Sequence, residues 1–508
     1  MKTKEKIKIK AIAALIVTCL VLTLNTGCHN MEEKDSPADD KSQEICEISI
    51  ENIILGDKNT DLARIEALAN EITVPAIGCK IKIIDCDISE HEDLMKKIQA
   101  GIEQIDLVET GLTTSLSDLV SSGTIIPLEG LLHEYGSELE EKEAEQLQAA
   151  MINQHIYAVP ANLHCGRAEG IGYNANIAEK YGISMPDEVN LEILTQVGQI
   201  LHDSGSGIYL TSQGAGNLTA FDSFYDMETF GGDFDYGVIM DPLNNTNIVN
   251  VYETSEYRYY CYILKQWKDN GYMPSDSLIS GRNQQDMFNN GETFFQFSSI
   301  SPGTELMNTN KNLSFSEEYI PITENRLTTK LVQEFAWGIT SGCKYPEKAM
   351  ELLNLIYTNG ELANLLQYGI EGEDYTVVGD GKIRSVTNED GTTSYNTKFT
   401  IYGDTVQKYH YESDSDITIE DVEEYSKQSQ AGKTFGYVFQ TDSVAMQIQK
   451  VQNVVNEYRP ILETGMADDV DQLLDEFIAE LKKAGIDAII KENQRQLDSW
   501  LEAAKSNY

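Results

Sequence analysis

The apolar and polar positions of this chain change period several times, and each change marks an element. Ile48 to Leu55 (ISIENIIL) is an apolar-rich run that predicts a strand, closed by Gly56 and Asp57. From Thr60 to Ile72 the spacing becomes helical, with Leu62, Ile65, Leu68 and Ala69 on one face. Cys79 to Ile84 (CKIKII) returns to a strand. Ser89 then offers an N-cap for a helix over His91 to Ile102, with Glu92 and Asp93 in its first turn. Ile105 to Val108 is the next short strand. Strand–helix–strand–helix–strand order predicts a parallel, wound sheet and an α/β fold.

A second alternating block begins at Ile156 to Pro160. Gly170 to Tyr173 reads as a strand and Ala175 to Tyr181 as a helix closed by Gly182. Helices follow over Leu191 to His202 and Thr254 to Asn270, the second closed by Gly271. Thr293 to Phe297 (TFFQF) and Phe335 to Thr340 (FAWGIT) predict strands. Pro346 opens a helix, where its missing N–H costs nothing. Gly369 to Thr400 is glycine-rich with short β-like pieces. Three helical runs end the chain: Ser443 to Leu462, Val470 to Ala484 and Ile486 to Ala504.

The first residues form none of these elements. Five lysines between Lys2 and Lys10 precede a 14-residue apolar run, Ala11 to Leu24. That run is too short to span a bilayer and fits the apolar region of a signal peptide. Asn25-Thr26-Gly27-Cys28 follows and resembles a lipobox, which makes Cys28 the expected lipidation site. His29 to Glu44 is polar and acidic, too poor in apolar side chains to offset its ordering entropy, and is expected to be a disordered tether.

Of the 38 basic and 82 acidic residues, removal of residues 1–27 takes five lysines and one glutamate. That leaves 33 against 81, a net charge of −48. Such a surface repels phosphate backbones and argues against nucleic acid as a partner. Past Cys28 the six cysteines show no CxxC pair or metal-finger spacing. Cys79 and Cys86 lie too far apart along one extended strand, ~23 Å, to bridge each other. Buried thiols, or a disulfide or two, remain open. No HExxH, GxSxG or phosphate-loop motif is present, no histidine pair has metal-ligand spacing, and neither a cofactor nor a catalytic set is expected.

A body of about 460 residues exceeds one core and predicts two lobes or more. Several stretches resemble the family 1 extracellular solute-binding proteins of ABC importers, in particular large lipoproteins of Gram-positive bacteria with a C-terminal domain of unknown function. Gly172 to Gly182 (GYNANIAEKYG) is similar to that family's Tyr-Asn strand running into a helix. Lys344 to Tyr375 carries its Pro-Glu-Lys-Ala helix start and its Tyr-Gly-Ile-Glu-Gly turn. Pro302 to Glu305 resembles its loop after a lobe strand, and Gly436 to Gly485 its C-terminal domain. The loop Glu109 to Thr114 (ETGLTT) lacks the Trp the family often carries there.

The resemblance implies a two-lobed, Venus-flytrap α/β fold with a C-terminal helical region. The expected order is signal peptide 1–27, tether 28–45, first lobe 46–161, second lobe 162–337, hinge return 338–400 and C-terminal helical domain 401–508. It also implies a lipid-anchored monomer on the outer face of the cell membrane, which captures an oligosaccharide and delivers it to an ABC transporter permease. A peptide or amino-sugar receptor of the same architecture is a second reading, and a secreted glycan-active enzyme a third.

In such a fold the ligand lies between the lobes, at the carboxyl ends of sheet strands. Trp337 is the first candidate contact, since an indole packs against a sugar's C–H face. Asn162, His164 and Arg167 follow the Ile156–Pro160 strand and suit hydroxyl recognition. Tyr173 begins the next helix. Glu109 and Thr110 end one strand, and Phe297 and Ser298 another. Asp222 and Asp233 flank an aromatic cluster (FDSFYDMETFGGDF) that offers stacking and carboxylate acceptors together.

Overall fold

The computed structural model describes residues 45–506, apart from 57, 145, 162–165, 213–219, 231–233, 276–283, 302–312, 380, 389–392, 396, 398–399, 404–407 and 412–418. The expected signal peptide, tether and lipidation site at Cys28 lie outside the described residues. So do the candidates Asn162, His164 and Asp233 and the loop Pro302–Glu305.

β1 (Cys46–Ile54) and β2 (Cys79–Asp87) pair in parallel over their whole length. The helix between them, Leu62–Ile77, runs past the predicted end at Ile72 and through Pro75, and stops at Gly78. Gly78 adopts φ 71°, the left-handed conformation a side chain disfavours, and its N–H closes the last turn on the Val74 carbonyl. The β1–β2 register places Cys46 opposite Cys79 with Cα atoms 4.7 Å apart, and a disulfide joins them. Cys86, Cys261 and Cys343 are free thiols. The next helix, Ile88–Gln99, is capped by Asp87 rather than by Ser89. The carboxylate at the end of β2 accepts from the Ser89 N–H.

β3 (Leu107–Thr110) adds in parallel to β1. After β4 (Val159–Pro160) the chain crosses to a second sheet. There β5 (Ala168–Asn174) lies between β6 (Phe295–Ile300) and β7 (Glu317–Pro321), antiparallel to both. It returns through β8 (Arg326–Leu327) and the short helix Thr329–Glu334. β9 (Ala336–Ile339) then inserts antiparallel between β3 and β4, giving the order β2-β1-β3-β9-β4. The chain crosses a third time before β10 (Gln430–Ala431), which pairs in parallel with β8. The expected parallel sheet therefore holds for β1, β2 and β3, with an antiparallel addition at β9. The boundary drawn after Trp337 falls inside β9. Trp337 is opposite Glu109 of β3 and Val159 of β4, so the whole strand belongs to the first lobe.

Two lobes joined by three crossovers result, each with its own core. The first-lobe sheet is covered on both faces. Ile48, Ile50, Leu107 and Ile339 pack against Leu352, Leu353 and Ile356 of helix Pro346–Thr358 on one side. Val108 and Ala336 pack against Leu116, Leu119 and Ile125 on the other. The second-lobe core gathers Leu194, Tyr257, Leu264 and Trp267, whose indole N–H donates to Thr195 at 2.7 Å. The last three helices, Ala445–Glu463, Val470–Ala484 and Ile486–Ser506, enter that same core through Val451, Leu474, Phe477 and Ile489. Phe477 sits 4.7 Å from the Tyr252 ring. Each such fully buried side chain contributes roughly 1.5–3 kcal/mol. No helix among the described residues is long and apolar enough to cross a membrane.

Candidate ligand-binding site

Four of the candidate residues converge on one cavity of the second lobe. Arg167, Asp222, Phe297 and Ser298 line a space of about 340 Å³. Strand geometry explains part of this convergence. Arg167 and Glu169 are two residues apart and so share a face. The β5–β6 register sets Ser299 opposite Glu169, and the Ser299 hydroxyl donates to the Glu169 carboxylate at 2.8 Å. Phe297 stands edge-on to Phe295 and Phe224, with ring centres 5.3 and 5.7 Å away, which fixes its ring.

An inner chamber of about 160 Å³ shares Arg167, Glu169, Asp222, Thr229 and Lys330 with the first. It extends to Tyr225, Asp226 and Arg326. Burial raises the Glu169 carboxyl above its usual range, opposed by the Ser299 hydrogen bond and by Arg167 and Lys330. Burial raises Asp226 in the same way, opposed by Arg326. Arg167 lies 3.4 Å from Glu334. Cations and carboxylates thus share the walls with hydroxyls and two aromatic rings, Phe297 and Tyr225. Such a lining offers paired donors and acceptors to a polar, hydroxyl-bearing molecule. Among the described residues no group of three or more His, Cys, Asp or Glu side chains is placed to hold a metal ion.

The other described candidates are elsewhere. Trp337 is 1% exposed and stacked on Tyr402, ring centres 5.6 Å apart, with its N–H donated to the Ile401 carbonyl at 3.1 Å. An indole closed on both faces has no surface left for a sugar. Glu109 and Thr110 are fully buried. Glu109 accepts from the Ile401 N–H at 3.1 Å, and burial pushes its carboxyl well above the usual range. The segment Thr400–Tyr402, distant in sequence, therefore covers the ground that Trp337 and Glu109 were expected to present, while Thr110, the next residue along the strand, points to the other face of the sheet. Tyr173 ends β5 rather than starting a helix. It packs on Phe294 and donates to Glu318, some 20 Å along the strand from Arg167. Asn174, beside it, caps the helix Ala175–Tyr181.

Sequence reasoning missed Glu169, Ser299, Thr229, Lys330 and Arg326. Glu169 had a readable signal, since it alternates in phase with Arg167. Ser299 needed the strand register, and Lys330 and Arg326 the third dimension.

The family profile for bacterial extracellular solute-binding proteins matches residues 81–363, more than half of the chain. The chain belongs to this family. It is a family of binding proteins, not of enzymes. A domain of unknown function (DUF3502) matches residues 433–502, the stretch that enters the second-lobe core. A carbohydrate ABC transporter substrate-binding protein of Streptococcus pneumoniae is 25% identical over 466 residues, 89% of this chain and 90% of the relative. The crystal structure of the N-glycan transport solute binding protein from Streptococcus pneumoniae superimposes with a TM-score of 0.77 at 23% identity. It covers 90% of this chain and 99% of the other. Structures of that solute-binding protein with Man1GlcNAc and with Man5GlcNAc score 0.70 and 0.67, over the same shares, at 23% and 24% identity. The two-lobed solute-binding fold is common to all of them.

Proposed function

We propose that this solute-binding protein captures an oligosaccharide in the second-lobe cavity and delivers it to an ABC transporter permease. The observation that carries the reading is the meeting of Arg167, Asp222, Phe297 and Ser298 with Glu169 and Ser299 in one cavity, at a size usual for small-molecule sites. The names of the similar proteins add support, since they are carbohydrate and N-glycan binders. Micromolar capture needs only about −8 kcal/mol, within reach of one packed ring and several hydrogen bonds.

Thermal-shift and calorimetric titration of residues 29–508 test it. Man1GlcNAc and Man5GlcNAc are expected to raise the melting temperature without being cleaved. Ligand at a hundredfold excess over Kd adds about 2.7 kcal/mol. Stabilisation by basic peptides alone favours the second reading, to which the carboxylates of Asp222, Asp226 and Glu169 would be suited. Release of reducing ends favours an enzyme.

The reading includes a monomer held at the outer face of the membrane by lipid on Cys28. Support for the anchor is the Gly27-Cys28 pair behind the apolar run Ala11–Leu24. Cys28→Ser is expected to release the protein from the membrane fraction into the medium. A variant that stays with the membrane would rule out that anchor.

A further inference from the structure

Arg326 stands where all three crossovers meet. Its N–H donates to the Arg167 carbonyl at 3.0 Å, and its own carbonyl accepts from the Arg167 N–H at 2.9 Å. In the β8–β10 pair it is opposite Gln430. Its neighbour Asn325 accepts from the Gln430 N–H at 3.0 Å and from the Ser429 hydroxyl, and that hydroxyl accepts from the Gly166 N–H at 2.7 Å. The first, second and third crossings are thus tied to one another within two residues. There is no slack around them. A Cβ on Gly166 would lie 2.7 Å from the Arg326 carbonyl, and one on Gly432 would lie 2.9 Å from the Arg326 guanidinium.

The side chain of the same residue belongs to the cavity. Arg326 is 4% exposed and lines the inner chamber with Arg167, Asp226 and Lys330. One guanidinium nitrogen meets Glu228 at 3.1 Å, while Nε and Nη1 have no hydrogen-bond acceptor. Buried donors without acceptors are costly and rare. A purely structural ion pair would be expected to satisfy its fork. Here one of the three fork nitrogens is satisfied, and Nε and Nη1 are enclosed behind the wall of a polar chamber that the residue lines.

We propose that Arg326 is the residue through which an occupied cavity acts on the hinge. When the cavity fills, the guanidinium turns out into the chamber, and an oxygen of the bound sugar, a hydroxyl or a ring ether, supplies the acceptor that the protein withholds. The guanidinium is then held by Glu228 and ligand together. The Arg326 main chain, bonded to the other two crossings, carries that restraint into the angle between the lobes. A positioning role of this kind rests on the oligosaccharide reading of the cavity, and adds to it a specificity requirement: an acceptor oxygen must reach the inner chamber. It also accounts for the orphaned donors, which the fold by itself leaves unexplained.

The test separates affinity from closure. A fluorophore pair, one dye on each lobe, reports their spacing while Man5GlcNAc is titrated by calorimetry. Wild type is expected to bind and change its spacing. Arg326→Gln is expected to bind at least tenfold more weakly and to keep the unliganded spacing even at saturation. The double variant Glu228→Gln with Arg326→Gln removes both charges together and is expected to behave the same way, which covers the case in which the single variant does not fold. Arg326→Lys, with the charge but not the fork, is expected to recover part of the affinity and little of the spacing change. A folded Arg326 variant that closes as wild type does at saturation overturns the proposal. So does wild type that binds without any change of spacing. Wild type that binds neither Man1GlcNAc nor Man5GlcNAc, yet binds basic peptides, overturns the oligosaccharide reading on which the proposal stands.

Discussion

The two lobes offer the same kind of place, the end of a sheet strand near the hinge, and treat it in opposite ways. In the first lobe, Glu109 and Trp337 are sealed beneath Thr400–Tyr402. Thr400 accepts from the Ile53 N–H, Ile401 takes both candidate side chains, and Tyr402 stacks on the indole. In the second lobe, Arg167, Glu169, Asp222 and Phe297 stay open to a cavity. The lesson is that residue type at a strand end does not decide whether it meets ligand. What covers it decides, and the cover can come from 290 residues away.

The sharpest way to break this contrast is Trp337→Ala. As a core residue it should cost about 3–5 kcal/mol of stability, while the folded fraction binds ligand with unchanged affinity. Urea unfolding and calorimetry read the two quantities, and lost affinity without lost stability would return Trp337 to the ligand. Next comes the Cys46–Cys79 crosslink, which ties β1 to β2 within the first lobe. Its removal by serine at both positions should cost about 2–4 kcal/mol, again with the cavity unaffected. Unfolding with and without reductant checks this.

Glu228 belongs to the second lobe and behaves differently. Burial raises its carboxyl to about 7, against the opposing pull of Arg326 and the Thr329 N–H. A carboxyl whose folded value lies above its unfolded one stabilises fully when protonated. Its contribution is lost as pH rises from about 4.5 through 7. Wild type should therefore lose up to about 3 kcal/mol relative to Glu228→Gln between pH 4.5 and 8. Parallel pH profiles for the two proteins would show the prediction wrong. The smallest effect is on binding. Asp222→Ala should weaken glycan affinity by about 1.5–3 kcal/mol, and should shift the unliganded unfolding midpoint far less than Trp337→Ala does.

Much of the fold was legible because local signals agree with it. The helices Ala175–Tyr181 and Val470–Ala484 begin and end where the sequence pattern placed them, each closed by a left-handed glycine, Gly182 and Gly485. Strand identity was also readable for β1, β2 and β6. The assignment of β9 to a lobe was not, because β9 is an apolar run that would pack equally well in either sheet. Its partners, Glu109 and Val159, are fixed only by tertiary pairing. The site divides in the same way. Arg167, Asp222, Phe297 and Ser298, expected as polar or aromatic residues at strand and loop ends, line one cavity. Glu109, Thr110 and Trp337 satisfied the same rule and are buried, and nothing in the neighbourhood of Glu109 and Trp337 announces the segment Thr400–Tyr402 that covers them. Tyr173 failed for a simpler reason, because it lies at the wrong end of the right strand.

The last three helices complete a core that residues 168–300 begin. The emerging polypeptide can assemble its first-lobe sheet once residue 402 is available, because every strand of that sheet and its covering segment lie before that point. The second lobe must wait, with Tyr252 and Tyr257 lacking their partners Phe477 and Glu463, until the last helix, with Ile489 and Leu497, arrives. Maturation outside the cell thus has a built-in sequence, one half early and the other at the very end. A chain cut short by even one helix would leave a finished half attached to an adhesive, unfinished one.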